Sequence, residues 1–316
     1  MPASSWATRA DLIHTTTMTT LNKPNQMRGG VLTPSAAIQI EYSSAILALV
    51  RRMCDETKRV MKAAFAESVH HAAQDAKERP PALEGFPDPE DQPKPEEIRE
   101  YIKNLGPRAR IDLNHLMLKY EKEFSRTAKK ATKRMVARTL KSSSVTLGLS
   151  LRELSDKLTL STDVFTDQLQ EVVQASTAEA VSLIKLIPQK YLTEVQGAVS
   201  RSITSGNGLK DLVPFLNQKY DQNIRHARNV SMDQTRKAYS NINAARMQAI
   251  GVREYEWVHT GGSVHPRENH QRMNGKVFSL DDPPVIGVMY GQEVRGKPGD
   301  LPFCRCQMRP IIKFEE

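Results

Sequence analysis

The sequence predicts a mainly α protein: long helices fill its N-terminal and central regions, and a small α+β module closes the chain. Three observations carry this. Apolar residues recur at spacings of three, four and seven through most of the first 250 positions, the mark of amphipathic helices. After Gly251 the pattern shifts to alternation, with glycine, proline and aromatic residues common. The charge also divides there. The chain of 316 residues has a formal net charge of +9, but from Gly251 to Glu316 nine Lys+Arg meet nine Asp+Glu, so the whole excess lies in residues 1–250.

In chain order, residues 1–34 are rich in Ser, Thr, Asn and Gly with little periodicity and read as an extended arm. Thr33-Pro34-Ser35 marks a helix start. Ile38, Tyr42, Ile46, Leu49, Met53, Val60 and Ala64 then trace one face of a helix reaching about Lys77, giving an N-terminal helical segment over 35–78. Residues 79–95 hold six prolines, which block helical hydrogen bonding, and form a linker. The central helical region, 96–250, is expected to begin with a short helix stopped near Gly106-Pro107. A long helix follows from Arg108 to Lys141, and another runs from Ser161-Thr162-Asp163 to Ile187, where Pro188 interrupts or restarts it. Gly206-Asn207-Gly208 breaks the next, and helices over Leu209–Tyr220 and Ile224–Ile250 complete the set, with Gly251 as a left-handed cap. In the module, 251–316, Glu254–Val258 alternates as a strand. Asn274-Gly275 signals a two-residue hairpin into Lys276-Val277-Phe278, and Phe303–Met308 reads as a last extended run.

Composition excludes several classes. No run approaches the roughly 20 apolar residues that cross a bilayer, and the N-terminus lacks the basic start and apolar core of a secretory signal. Three cysteines make no disulfide scaffold and fit a reducing compartment such as the cytoplasm.

Two groups of residues could carry function. Arg126, Lys129, Lys130, Lys133, Arg134, Arg138 and Lys141 fall in sixteen residues with no acidic side chain. Such a strip can neutralise phosphates without reading sequence, or it is a solvated face that meets an acidic partner. The second group is His265 and His270 with Cys304 and Cys306. Two imidazoles and two thiolates make a tetrahedral zinc set, and in an extended strand Cys304 and Cys306 share a face. The alternative is local packing and hydrogen bonding of the same side chains. With Arg267 and Glu268 alongside, this cluster is also where a metal-assisted hydrolase or nuclease would be centred, although the sequence has no phosphate-binding glycine loop, HExxH pair or nucleophile elbow.

The order of motifs in the last third resembles a known family. Ala244-Ala245-Arg246, Gly251-Val252, Tyr255-Glu256-Trp257, His265-Pro266-Arg267-Glu268-Asn269-His270, Asn274-Gly275-Lys276-Val277-Phe278, Asp282-Pro283-Pro284 and Cys304-Arg305-Cys306 succeed one another as in the phage Mu F-like head morphogenesis domain. The resemblance covers roughly residues 160–312 and rests most on Trp257, Arg267, His270, Gly275, Cys304 and Cys306. Many relatives carry an Asp in the loop before the Arg-x-x-His pair, where this chain has Gly261-Gly262-Ser263-Val264-His265. The resemblance implies a non-enzymatic minor head protein of a tailed bacteriophage, resident in the phage head near the portal and in the host cytoplasm during assembly. It acts in head assembly, DNA packaging or ejection. The implied partners are the portal, the major capsid or scaffold proteins and packaged viral DNA, with neither a membrane nor a small-molecule substrate.

Overall fold

The computed structural model describes residues 26–77, 95–152, 161–205, 207–261 and 266–313, with side chains for all of these except 66–77 and 95–106. The protein is mainly α with a small strand-containing C-terminal region. Most of residues 1–34, residues 79–94 of the expected linker and His265 lie outside the described residues, and Pro95, placed last in that linker, instead begins a helix.

Four long helices form the body: α1 (Ala36–Lys77), α2 (Pro95–Arg152), α3 (Asp167–Thr204) and α4 (Leu209–Ala249). Each packs on its neighbours in chain order, and α1 closes the ring against α4. The face read from α1 is the buried one. Ile38, Tyr42, Ile46, Leu49, Met53 and Ala64 are all buried, with Val60 half-buried beside them. They join Leu113, Tyr120, Phe124 and Met135 of α2, Ile184, Tyr191 and Val195 of α3, and Leu212 and Ile242 of α4 in one core. Burying each large aliphatic side chain contributes about 1.5–3 kcal/mol, so this apolar stripe outweighs helix propensity in holding the bundle.

Where sequence signals predicted breaks, the helices often continue. Pro107 and Pro188 both lie inside helices, and Pro214, within the helix expected over Leu209–Tyr220, does not break it either. The expected stop at Gly106-Pro107 is absent, as is the expected gap between Tyr220 and Ile224. A proline forfeits one helical hydrogen bond, and tertiary burial of the flanking turns offsets that loss. Buried Ile187 and Tyr191 flank Pro188, and buried Leu212 and Leu216 flank Pro214. In contrast, Ser161-Thr162-Asp163 does not begin a helix. Residues 161–166 run without regular structure until Thr166, whose hydroxyl accepts the Leu169 amide at 3.2 Å as the N-cap of α3.

The end of α4 is a Schellman motif. Val252 N–H reaches Met247 O at 2.8 Å and Gly251 N–H reaches Gln248 O at 3.1 Å, with Gly251 at φ +82°. Met247 and Val252 then share a second core, which faces the module.

The module holds a four-stranded antiparallel sheet in the order β1-β6-β2-β3: β1 is Gln26–Arg28, β6 Gln307–Lys313, β2 Glu254–Val258 and β3 Val277–Ser279. A separate hairpin pairs β4 (Val285–Met289) with β5 (Gln292–Arg295), and a short helix, α5 (Glu268–Met273), lies between β2 and β3. Asn274-Gly275 therefore joins α5 to β3 and is not a two-residue hairpin turn. The hairpin turn is Tyr290-Gly291, both at positive φ. The last strand also begins later than expected: Cys304 and Cys306 precede β6.

The end of the expected arm belongs to this sheet. Gln26–Arg28 pairs with β6, the Leu32 amide bonds Met308 O at 2.8 Å, and the Leu32 side chain is buried. Leu147 and Leu151 of α2 and Tyr239, Ala244 and Met247 of α4 complete the core beneath the sheet, so bundle and module share α2 and α4.

Candidate functional site

Trp257 lies at the centre of the module, fully buried, with its ring edge-on to His270 (centroids 5.0 Å apart) and to Phe278 (6.2 Å). Alternation along β2 places Tyr255 and Trp257 inward, and the same register carries His259 toward the interior just past the strand end. The short α5 presents His270, and the turn before β6 presents Cys304 and Cys306. All three are buried.

These side chains converge. His270 Nδ1 lies 3.6 Å from Cys304 Sγ and 3.7 Å from Cys306 Sγ, and His259 Nδ1 lies 3.4 Å from Cys306 Sγ. The other ring nitrogen of His270, Nε2, lies 3.1 Å from Ile286 O. A carbonyl can only accept, so Nε2 carries the proton and Nδ1 presents its lone pair to the sulfurs. Gly299 N–H points at Cys304 Sγ from 3.4 Å. Sharing of a proton between the two thiols lowers the proton affinity of Cys304 and raises that of Cys306. The Cys306 S–H supports a Cys304 thiolate, with help from the Gly299 amide against the cost of burial.

Of the four expected metal donors, three meet here, and among the described residues His270, Cys304 and Cys306 are the group whose donor atoms approach closely enough to hold an ion. Strand alternation does not bring the two sulfurs together, because residues 304–306 are not in a strand. A turn with Phe303 at φ +62° does so. Sequence reasoning missed His259, although its two-residue offset from Trp257 carried the signal.

Beside the cluster, Asp233 of α4 accepts the Phe303 amide at 3.0 Å and sits 3.9 Å from Arg236. Burial raises the Asp233 carboxyl, opposed by the Phe303 amide and Arg236. Arg267 donates to Pro302 O at 3.0 Å, so this family-motif arginine braces the cysteine-bearing turn. Gly275, at φ +77°, passes its amide to Trp257 O at 2.8 Å and starts the β2–β3 pairing.

The basic strip lies elsewhere, on α2. All seven cations are exposed or half-exposed, in two rows. Arg126, Lys130, Arg134 and Arg138 step by four along a groove against α1, and Glu41 on the far wall pairs with both Arg134 (2.7 Å) and Arg138. Lys129, Lys133 and Lys141 form a second row, and none of them makes an ion pair among the described residues. One carboxylate thus answers two of seven positive charges.

A helical bundle that carries a small antiparallel sheet over a buried His/Cys cluster is the class these features define. The family model described as Phage Mu protein F like protein matches residues 193–309, from the second half of α3 to β6. Over that stretch the chain is similar to Mu F-like phage proteins. It is also similar to an uncharacterized protein of Haemophilus influenzae, with 28% identity over 148 residues, covering 47% of this chain and 31% of that one. The chain thus aligns with under a third of that relative's length. No solved structure matches. The matched stretch begins later than the residue 160 expected from sequence, yet includes every residue of the quoted motifs.

Proposed function

We propose that this protein is a minor head protein that docks at the portal and acts in head assembly, DNA packaging or ejection. The observation that carries the reading is the Mu F-like match over residues 193–309, which points to a phage head morphogenesis protein of a generally structural family. The form of the molecule supports it: a bundle of helices up to 58 residues long offers extended faces for docking on a multisubunit ring. The rows on α2 fit packaged DNA as a second, nonspecific partner, since four of their cations line one open groove wall.

Metal-assisted hydrolysis has weaker support. Catalytic zinc keeps a coordination position open to substrate, whereas His270, Cys304 and Cys306 are all buried. No helix among the described residues is long and apolar enough to cross a membrane.

The test is co-expression with the portal and capsid proteins of the same phage, followed by purification of procapsids. The protein should co-purify with portal-containing particles, and its absence from them overturns the reading. The DNA contact has its own arm. The triple change Lys129→Glu, Lys130→Glu, Lys133→Glu should weaken duplex binding and reduce the slope of log K against log salt by about one for each phosphate no longer neutralised. Unchanged affinity removes DNA from the proposal and leaves an acidic protein surface as the partner.

A further inference from the structure

We propose that His259, His270, Cys304 and Cys306 form a structural zinc site that ties the module together. The distances carry it. For zinc with bonds of about 2.3 Å to sulfur and 2.0–2.1 Å to nitrogen, tetrahedral geometry sets each nitrogen–sulfur edge at about 3.6 Å. The three nitrogen–sulfur separations here are 3.6, 3.7 and 3.4 Å. Hydrogen bonds to sulfur can have the same lengths, so it is the convergence of several nitrogen and sulfur donors on one point that favours a shared ion. The donors of His270, Cys304 and Cys306 all lie within 4.8 Å of one another; His259, close to Cys306, stands outside that group and swings in as the fourth ligand when the ion binds.

The surroundings agree. Metal-bound imidazoles almost always give their other N–H to a carbonyl or carboxylate, and His270 gives Nε2–H to Ile286 O. The Gly299 amide aimed at Cys304 Sγ stabilises a thiolate. Asn274 Oδ1 accepts the His259 backbone amide at 2.8 Å and so fixes the start of the loop that carries the fourth donor. Two thiolates cancel the charge of Zn²⁺, which suits a site enclosed by Trp257, Ile286, Leu301 and Met308. Binding takes up one Zn²⁺ and releases the thiol protons to solvent. A disulfide is the poorer alternative, because a link between residues two apart is strained, and both cysteines are free.

The site would do what the small core of the module cannot do alone. It joins the end of β2, the helix α5 and the turn before β6, three segments separated by loops. Structural metal commonly supplements the core in domains of this size. The assignment differs from the sequence-based set in one ligand: His259 takes the place given to His265. It does not depend on the portal-docking reading, since zinc content and head assembly are measured separately.

The test uses the full chain, purified, stripped and reloaded with zinc. Elemental analysis should give one zinc per chain, and X-ray absorption of the wild-type protein should show two sulfur and two nitrogen donors. His259→Ala and Cys306→Ser should each weaken zinc by at least ~10-fold, as even outer-shell changes commonly do, while His265→Ala should leave affinity unchanged. Far-UV circular dichroism of each variant checks that the helical body is folded. The wild-type absorption spectrum tests the donor set even if a variant fails to fold. Failure to take up stoichiometric zinc overturns the site, as does a first shell without two sulfurs. Loss of zinc in His265→Ala with retention in His259→Ala overturns the ligand assignment.

Discussion

Arg246 offers the sharpest test of how the segment leading into α3 is held to the bundle. Its side chain is only 2% exposed, on α4 just before the Schellman turn. One guanidinium nitrogen donates to Thr162 O and, at 3.4 Å, to Val164 O; the other donates to Leu140 O at 3.3 Å. It thus clamps the irregular 161–166 segment against α2. Its nearest carboxylate, Asp163 at 3.8 Å, is 90% exposed, so water screens most of that attraction. A hydrogen bond to a charged group contributes about 1.5–3 kcal/mol net, and three would give about 5–9. Desolvation of the guanidinium takes back several kcal/mol, and Nε has no partner to offset its share. Arg246→Ala should therefore cost about 3 kcal/mol, through lost bonds and a cavity. Arg246→Met fills the space without a buried charge and should cost no more than about half of that. Asp163→Asn should cost under about 0.5 kcal/mol. Urea titration followed by circular dichroism and tryptophan fluorescence reads all three as midpoint shifts. A cost below about 1 kcal/mol for Arg246→Ala, or an equal cost for Asp163→Asn, would refute the clamp.

Three further outcomes follow from the structure. Trp257→Ala removes a fully buried ring that contacts His270 and Phe278, and should destabilise the chain by about 3–5 kcal/mol in the same titration. Gly29→Val should detach β1, because a Cβ at position 29 would lie 2.6 Å from Ser150 Oγ, 3.0 Å from Ser150 O and 3.1 Å from Pro310 Cγ. Hydrogen exchange at the Leu32 amide should then accelerate while the α1 core amides hold their protection. Glu56 couples α1 to α2 through Lys119 (2.7 Å) and Tyr120. Burial raises its carboxyl, but hydrogen bonds from those two residues outweigh that and hold it below the usual glutamate value. Its contribution is therefore present above the unfolded-state value near 4.5 and is lost as pH falls through the lower folded value. Glu56→Gln should lower stability at neutral pH and flatten the acid limb, and an unchanged acid limb contradicts the assignment.

The helical part of this fold was legible because a periodic apolar stripe is a local property. Ile38, Tyr42, Ile46 and Met53 announce a buried face whatever lies opposite. The breaks were misread for the same reason. Gly106-Pro107 and Pro188 disfavour helix in isolation, but whether a helix crosses a proline depends on the burial its flanking turns gain. Likewise Asn274-Gly275 has the chemistry of a hairpin turn, and only the pairing of Trp257 with Lys276 shows that a helix precedes it.

The site divides in the same way. His270, Cys304 and Cys306 could be named from ligand chemistry and motif order, since residue type limits what zinc or a thiol network can use. The partner of these residues could not. His259 and His265 offer the same imidazole in sequence, and only the folded end of β2 shows His259 beside Cys306. The charge behaves alike: sequence located seven cations in one strip, but only packing of α1 against α2 showed Glu41 holding Arg134 and Arg138. By itself the sequence determined which side chains can bury, ligate or carry charge, because those are properties of single residues and their spacing. The tertiary structure decided which of them meet, because segments as distant as Gln26–Arg28 and Gln307–Lys313 are brought together by burial they can reach only in the folded chain.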